Sequence, residues 1–384
     1  MSTEITAVPM LDLKRQFNKI GAEMNAVLTS VNESGQFVLG PEVKKLEENI
    51  AKYSQTNHAV GVASGSDALL LALMAANIGA DDEVIAPSFT FFASASCVPR
   101  LGAKLVFAEI DPDTFNLDPQ DVARRITEKT RAIVVVHLFG QAADMIGLKA
   151  VVEEAEKKYG RKIFIVEDSC QAIGAELDGV PVGNWGDASC LSFYPTKNLG
   201  GAGDGGMVVC NDQTVADRVR LLRGHGMSPR YFHKEIGINS RLDSYQAAIL
   251  NVKLAYLDEW TEARGTNAAR YERLFADSNL ADCIITPKTV GNRRHVWNQY
   301  VVRVLGGKRD ELRAYLAECK IGTDIYYPLG LHQQECFAYL GYKAEDLPQT
   351  LKAAREVLAL PIYPELTAEE QTYLVEKVLA FFKK

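Results

Sequence analysis

From His58 onward, short apolar runs alternate with stretches that carry a helical period. HAVGVAS, DEVIAPS, AKLVFAEI, TRAIVVVHLF and RKIFIVED are brief and rich in β-branched residues. Between them lie SGSDALLLALMAANIG and the segments 92–101, 119–126 and 147–159, all readable as helices. Strand and helix in strict alternation predict an α/β domain with a mostly parallel sheet covered on both faces. Ahead of it, Leu13, Phe17, Ile20, Met24, Val27 and Leu28 recur at helical spacing. A Gly-bounded loop, SGQFVLGPEV, then leads to a helix over 41–53 with Pro41 in its first turn. After Gly206, MVVC is expected to pair antiparallel with CLSF and close the sheet. A helix over 214–223, a polar and aromatic loop over 224–239 and one long helix over about 242–260 follow. CIITP, NQYVVRV, a helix over 308–319 and a closing helix from Thr367 predict a smaller α+β unit. The expected division is 1–255 for the large domain, N-terminal helices included, and 256–384 for the small one.

The 384 residues are 47% apolar, enough for a large core. Net charge is −7, with no long run of either sign, which argues against nucleic acid as a partner. The seven cysteines are dispersed and include no C-x-x-C pair, which suits a reduced, cytoplasmic chain without a disulfide framework or metal site. No signal peptide pattern opens the sequence, and no window approaches the ~18 apolar residues of a membrane span.

Chemistry concentrates in LSFYPTKNLGGAGDGG (191–206) and IVEDSCQA (165–172). Lys197 lies on a Gly-bounded turn between two strand-like runs, and such a lysine points into a site more readily than one on an open loop. Asp168 follows an apolar run. A lysine and an acid on neighbouring strand ends are what pyridoxal phosphate needs: an amine for its aldehyde, and a carboxylate to keep the pyridine nitrogen protonated. Glu167 competes with Asp168, and strand alternation turns the two to opposite faces. Gln171 is placed to donate to the ring's phenolic oxygen. Gly65 opens the helix after the first strand, where first-turn N–H groups and the helix dipole favour an anion. An ordinary helix capped by Ser66 or Asp67 explains the same turn. Ser192 adds a hydroxyl to a phosphate held there. Phe91 offers a face for a ring to stack on, although Phe89, Phe91 and Phe92 all read equally as core. Asn239 and Arg241, two apart before a helix, suit a phosphate or carboxylate, or else a cap and a surface charge. His225 reads as a loop residue between glycines, and His137 as a satisfied interior histidine.

Taken together, these segments resemble the DegT/DnrJ/EryC1/StrS family of sugar aminotransferases, pyridoxal-phosphate enzymes of the aspartate aminotransferase fold (fold type I). The likeness runs nearly end to end, from LDLKRQ and GQFVLGPEV through SGSDALLLAL, PSFTFFASA, VEDSCQAIGA, SFYPTKNLGGAGDGG and GINSRLDSYQAAIL to IYYPLGLHQQ and LPIYPEL. It implies Lys197 as the Schiff-base lysine and proton shuttle, and Asp168 as the partner of the ring nitrogen. Gln171 would lie near the phenolic oxygen, Phe91 on the ring, and Gly65, Ser66 and Ser192 on the phosphate. It further implies a homodimer, in which Asn239 reaches the neighbour's cofactor and Arg241 the neighbour's substrate. Gly35, Phe37, Tyr326 and Tyr327 fall where relatives contact the nucleotide-sugar. The implied reaction moves an amino group from L-glutamate, through pyridoxal and pyridoxamine phosphate, onto a nucleotide-activated keto-sugar. The likeness of GQFVLG and NSRLD leans toward a 3-keto sugar on UDP or dTDP. One branch of the family carries a histidine at the lysine position and dehydrates its sugar; Lys197 favours transamination. An inosose aminotransferase and a non-catalytic cofactor-binding regulator are the other readings.

Overall fold

The computed structural model describes residues 5–383. Helix α1 (Leu13–Ser34) starts where Asp12 accepts from the Lys14 N–H and stops at Gly35, which takes φ +64. Helix α2 (Pro41–Tyr53) follows with Pro41 at its start, as the sequence predicts. The alternating region then forms β1 (His58–Val62), α3 (Gly65–Ala75), β2 (Glu83–Pro87), α4 (Ala93–Arg100), β3 (Lys104–Ala108), α5 (Pro119–Arg125), β4 (Thr130–Val136), α6 (Met145–Tyr159) and β5 (Phe164–Asp168). A small ribbon, β6 (Glu176–Leu177) and β7 (Val180–Pro181), precedes β8 (Ala188–Ser192) and β9 (Gly206–Cys210).

Seven of these strands form one sheet in the order β1-β9-β8-β5-β4-β2-β3. Only β9 runs against the rest, pairing antiparallel with β8 on one side and β1 on the other. The expected pairing of MVVC with CLSF is therefore present, with Ser189 opposite Val209 and Cys190 opposite Val208. Alternation along the strands feeds two cores. Val134, Val166, Cys190 and Val208 pack with α3, α4 and helix α7 (Gln213–Leu222) on one face. Ile133, Val135 and Ile165 pack with α5 and α6 on the other. These side chains are essentially inaccessible, and each contributes roughly 1.5–3 kcal/mol by leaving water.

The single helix expected over 242–260 is two: α8 (Ser244–Leu254) and α9 (Leu257–Ala276). The Ala255 and Tyr256 N–H groups turn back to Val252 and Lys253 carbonyls in a tighter, three-residue step, so the axis restarts at Leu257. Apolar periodicity continues through the break, which hides it from the sequence. From α9 the chain builds a second core, with β10 (Ile284–Ile285), β11 (Arg293–Arg294), β12 (Tyr300–Val304), α10 (Arg309–Glu318), α11 (Pro348–Glu356), β13 (Val357–Leu360) and α12 (Ala368–Phe382). Strands β10, β12 and β13 form a three-stranded sheet, while β11 joins the β6–β7 ribbon of the first unit. Val8 from the chain's start belongs to this second core.

Candidate active site

In a parallel sheet covered by helices, ligands bind beyond the carboxyl ends of the strands. Here Val62, Gly206 and Ser192 stand level across β1, β9 and β8, because the reversed β9 begins where its neighbours end. Gly206 makes the turn after β1 possible: a Cβ there would lie 2.7 Å from the Gly65 nitrogen. Gly65 is pressed equally close. Its own Cβ would lie 2.7 Å from Ser192 Cβ and 2.9 Å from Cys170 Sγ. The α3 N-terminus is thereby laid against Ser192, the serine expected beside it. Ser64, rather than Ser66 or Asp67, caps the helix, its Oγ accepting from the Asp67 N–H at 3.1 Å. A cap needs extended backbone, and Ser64 supplies it at φ −163 and ψ 164. Ser66 is left exposed in the first turn, where N–H groups lack intrahelical partners. Gly65→Ala is expected to cost ~1–3 kcal/mol of stability through overpacking and to weaken cofactor phosphate binding about tenfold. Thermal unfolding and a cofactor titration check it.

Asp168 closes β5 on the same face as Val166, toward α4. Ser94 Oγ donates to its Oδ2 at 2.6 Å, and the Cys170 N–H to Oδ1 at 3.2 Å. Glu167 points the other way. Its carboxylate accepts from the Gly183, Trp185 and Gly186 N–H groups at 2.9, 3.0 and 2.7 Å and meets His137 Nε2 at 2.9 Å. His137 Nδ1 accepts from the Ala143 N–H, which puts the ring's proton on Nε2, facing Glu167. Burial raises the Glu167 pKa, but these donors overcome it and hold the carboxyl below the usual range. Glu167 and His137 thus lock each other inside the fold, and Asp168 is the acid left at the site.

Lys197 sits five residues past the end of β8. Its N–H turns back to the Tyr194 carbonyl at 2.9 Å, and Asn198 Nδ2 ties the turn to the Val296 carbonyl at 2.7 Å. Burial pushes the Lys197 ammonium below the ordinary lysine range, against the pull of Cys170 and Asp168. A larger neutral fraction follows, as a nucleophilic amine requires.

The three phenylalanines separate cleanly. Phe89 is fully buried, whereas Phe91 is 56% exposed. Phe92 packs on Phe337. Phe91 keeps an open face and leans on Tyr327 at 6.3 Å between centroids. Gln171 is already oriented: its Oε1 accepts from the Phe139 N–H at 2.7 Å and its Nε2 donates to Tyr327 Oη at 3.2 Å. One Nε2 hydrogen remains for another acceptor. The sequence did not reveal the Gln171–Tyr327 bond, since 156 residues separate the partners. It places Tyr327 beside Gln171 and Phe91, whereas Tyr326 lies near Asp324, with burial and then that acid raising its phenol to about 12.

Four expected residues lie apart from this cluster. Arg241 Nε donates to Asn239 Oδ1 at 3.0 Å, and neither side chain bonds to Lys197, Asp168 or the α3 turn of its own chain. Ser240 between them is buried and accepts from the Ala63 N–H at 3.1 Å. Gly35 is the left-handed stop of α1. Phe37 stacks on Tyr245 at 5.6 Å within an exposed apolar run, Phe37–Leu39, beside the start of α8.

The donor set fits pyridoxal phosphate. A helix start is pressed against a serine hydroxyl, a carboxylate stands behind the ring position, one aromatic face is open, and an amine with a depressed pKa lies nearby. Among known proteins, a Pleiotropic regulatory protein from Geobacillus stearothermophilus is 50% identical to this chain, covering 98% of it and 99% of its own length. A dTDP-3-amino-3,4,6-trideoxy-alpha-D-glucose transaminase from Streptomyces venezuelae is 41% identical over 98% of this chain and 96% of its own. The crystal structure of S. venezuelae DesV in complex with a ketimine intermediate superposes with a TM-score of 0.93 at 40% identity, covering 99% of this chain and all of that one. The DegT/DnrJ/EryC1/StrS aminotransferase family matches residues 18–379, and the chain belongs to that family.

Proposed function

We propose that this aminotransferase takes its amino group from L-glutamate and delivers it to a 3-keto sugar carried by dTDP or UDP. The observation that carries the reading is that Asp168 ends β5 beside β8, the strand that leads to Lys197, and acts electrostatically on its amine, within a family whose named relatives include transaminases of dTDP-linked sugars. Pyridoxal phosphate, cycling through the pyridoxamine form, supplies an aldehyde carbon for the amine and a cationic ring that draws electrons from the substrate. Gly65, Ser66 and Ser192 bind its phosphate. Phe91 covers one face of the ring, Gln171 donates to the phenolic oxygen, and Asp168 holds the proton on the pyridine nitrogen. Lys197 would anchor the cofactor and, once displaced by the incoming amine, would carry the proton through Nζ from the substrate's α-carbon to the cofactor's C4′. Tyr326 and Tyr327 stand on the substrate side, with Tyr327 fixed by Gln171.

An enzyme rather than a regulator is supported by the joint presence of the amine, the acid and the phosphate cradle. Purified protein, glutamate and a panel of nucleotide-linked keto-sugars, read by mass spectrometry, test the reading. One aminated sugar per glutamate is expected, with glutamate converted in a first half-reaction without sugar. Sugar consumption without glutamate loss would instead mean dehydration.

The active unit in this reading is a homodimer with shared sites. Ser240 is tied to its own chain at Ala63, and Asn239 and Arg241 bond to each other rather than to their own chain's site, which supports a reach toward a neighbour. Val38 is 56% and Ile236 93% exposed, apolar surface that a second copy would cover. Mixing Lys197→Ala with Arg241→Ala subunits is expected to restore up to about a quarter of parental activity, because a mixed dimer holds one intact site. No recovery would place Arg241 in its own chain's site. Among the described residues, no helix is long and apolar enough to cross a membrane.

A further inference from the structure

The turn that carries Lys197 is closed at its base. The Gly201 N–H donates to the Phe193 carbonyl at 2.8 Å. Gly200 has no room for a side chain, since a Cβ would lie 2.9 Å from the Tyr194 oxygen and 2.7 Å from the Pro195 carbonyl carbon. These contacts shape the loop but do not fix it to the body of the protein. Beside the Asn198 bond to the Val296 carbonyl, two side chains of α8 do. Gln246 Oε1 accepts from the Ala202 N–H at 2.8 Å, and its amide stands where side chains at Gly201 and Gly203 would be. Lys253, two helical turns further along the same face, donates from Nζ to the Gly200 carbonyl at 2.7 Å.

Lys253 is 5% exposed, and among the described residues no carboxylate pairs with it. Burial pushes its ammonium down to about 8. Its place in the last turn of α8 gives partial relief through the helix dipole. A buried amine with one carbonyl partner is a cost to folding that an apolar side chain would avoid. What the amine does contribute is a rigid link between α8 and the loop.

We propose that Lys253, assisted by Gln246, is a positioning residue for transamination: by holding Gly200 and Ala202 it sets where Lys197 stands over the ends of β5 and β8. The inference rests on the reading of Lys197 as the reacting amine. A displacement of ~1 Å in a reacting group costs up to ~100-fold in rate, so a loosened base would show in turnover before binding.

The test uses the holoenzyme with Lys253→Met, Lys253→Arg and Gln246→Leu. Lys253→Met is expected to lower kcat of the glutamate half-reaction ~10–50-fold with KM for glutamate within about twofold. Lys253→Arg, which still donates to Gly200, is expected to recover to within about threefold of the parent. Gln246→Leu is expected to show a ~3–10-fold fall in kcat at unchanged KM, and it carries the test if Lys253→Met does not fold. Parental kcat in Lys253→Met, or in Gln246→Leu where only that variant folds, overturns the proposal. So does an arginine variant as slow as the methionine one, or losses of kcat that track losses of thermal midpoint across the set. Borohydride reduction and peptide mapping of the parent separate the two ideas. A tag on a lysine other than 197 removes the reading of Lys197, whereas a tag on Lys197 with parental kcat in the variants removes only this proposal.

Discussion

Lys197→Ala is expected to lower kcat by at least ~10⁴-fold while leaving the protein folded. Two losses combine. In the proposed reading the covalent hold on the cofactor would disappear, and so would the group that carries the substrate's α-proton, a general acid–base contribution of ~10²–10⁴ by itself. Neither Asp168 nor Cys170 replaces it. Asp168 is engaged by Ser94 and the Cys170 N–H. The Cys170 thiol is pushed well above its ordinary pKa, first by burial and then by Asp168. The fold should tolerate the change. Because burial depresses the Lys197 pKa, the protonated lysine disfavours the native state, and its penalty falls as pH rises from the folded toward the unfolded pKa. Alanine removes that penalty, so the thermal midpoint is expected to hold or rise. Stopped-flow single turnovers with glutamate, beside an unfolding curve, check both halves. A variant within tenfold of the parent would mean that another group moves the proton.

Asp168→Asn is expected to cut kcat by ~10²–10³-fold, the usual loss when one aligned charge is removed from a reacting centre. Asparagine keeps the shape. Its oxygen still accepts from the Cys170 N–H, and its amide donates to Ser94 Oγ, which also lies 3.3 Å from Thr90 Oγ1. What is lost, in the proposed reading, is the negative charge that would hold a proton on the ring nitrogen. The effect should therefore fall on kcat, with cofactor affinity changed less. Glu167→Gln should behave differently, since that carboxylate accepts three backbone N–H groups inside the fold. Steady-state kinetics and thermal unfolding of the two variants separate the roles. Equal kcat in Asp168→Asn and the parent would remove Asp168 from the chemistry.

Much of this was readable from residue order because the sheet obeys local rules. Buried strands such as Ile133–Val136 and Ile165–Val166 announce themselves through β-branched runs, and period-2 alternation alone sets Glu167 and Asp168 on opposite faces. Lys197 stood out because two strand-like runs bracket its turn. The rest depended on contacts distant in sequence or on backbone detail. Strand β13, Val357–Leu360, follows helix α11 with the composition VLAL, which carries no strand signature; it is a strand because β12 pairs with it. The α8–α9 break interrupts an unbroken apolar period. Ser64 as cap depends on extended backbone in a turn that Gly206 leaves room for. Tyr327 on Gln171 and Lys253 on Gly200 join segments that only the folded sheet brings together. Lys253 in particular reads in sequence as one more polar position on a helix.

Which amine holds the cofactor decides how this protein works. The purified protein, loaded with pyridoxal phosphate and reduced with borohydride, should carry the pyridoxyl group on one peptide, at Lys197. A label on any other lysine, or no label on fully loaded protein, would contradict it.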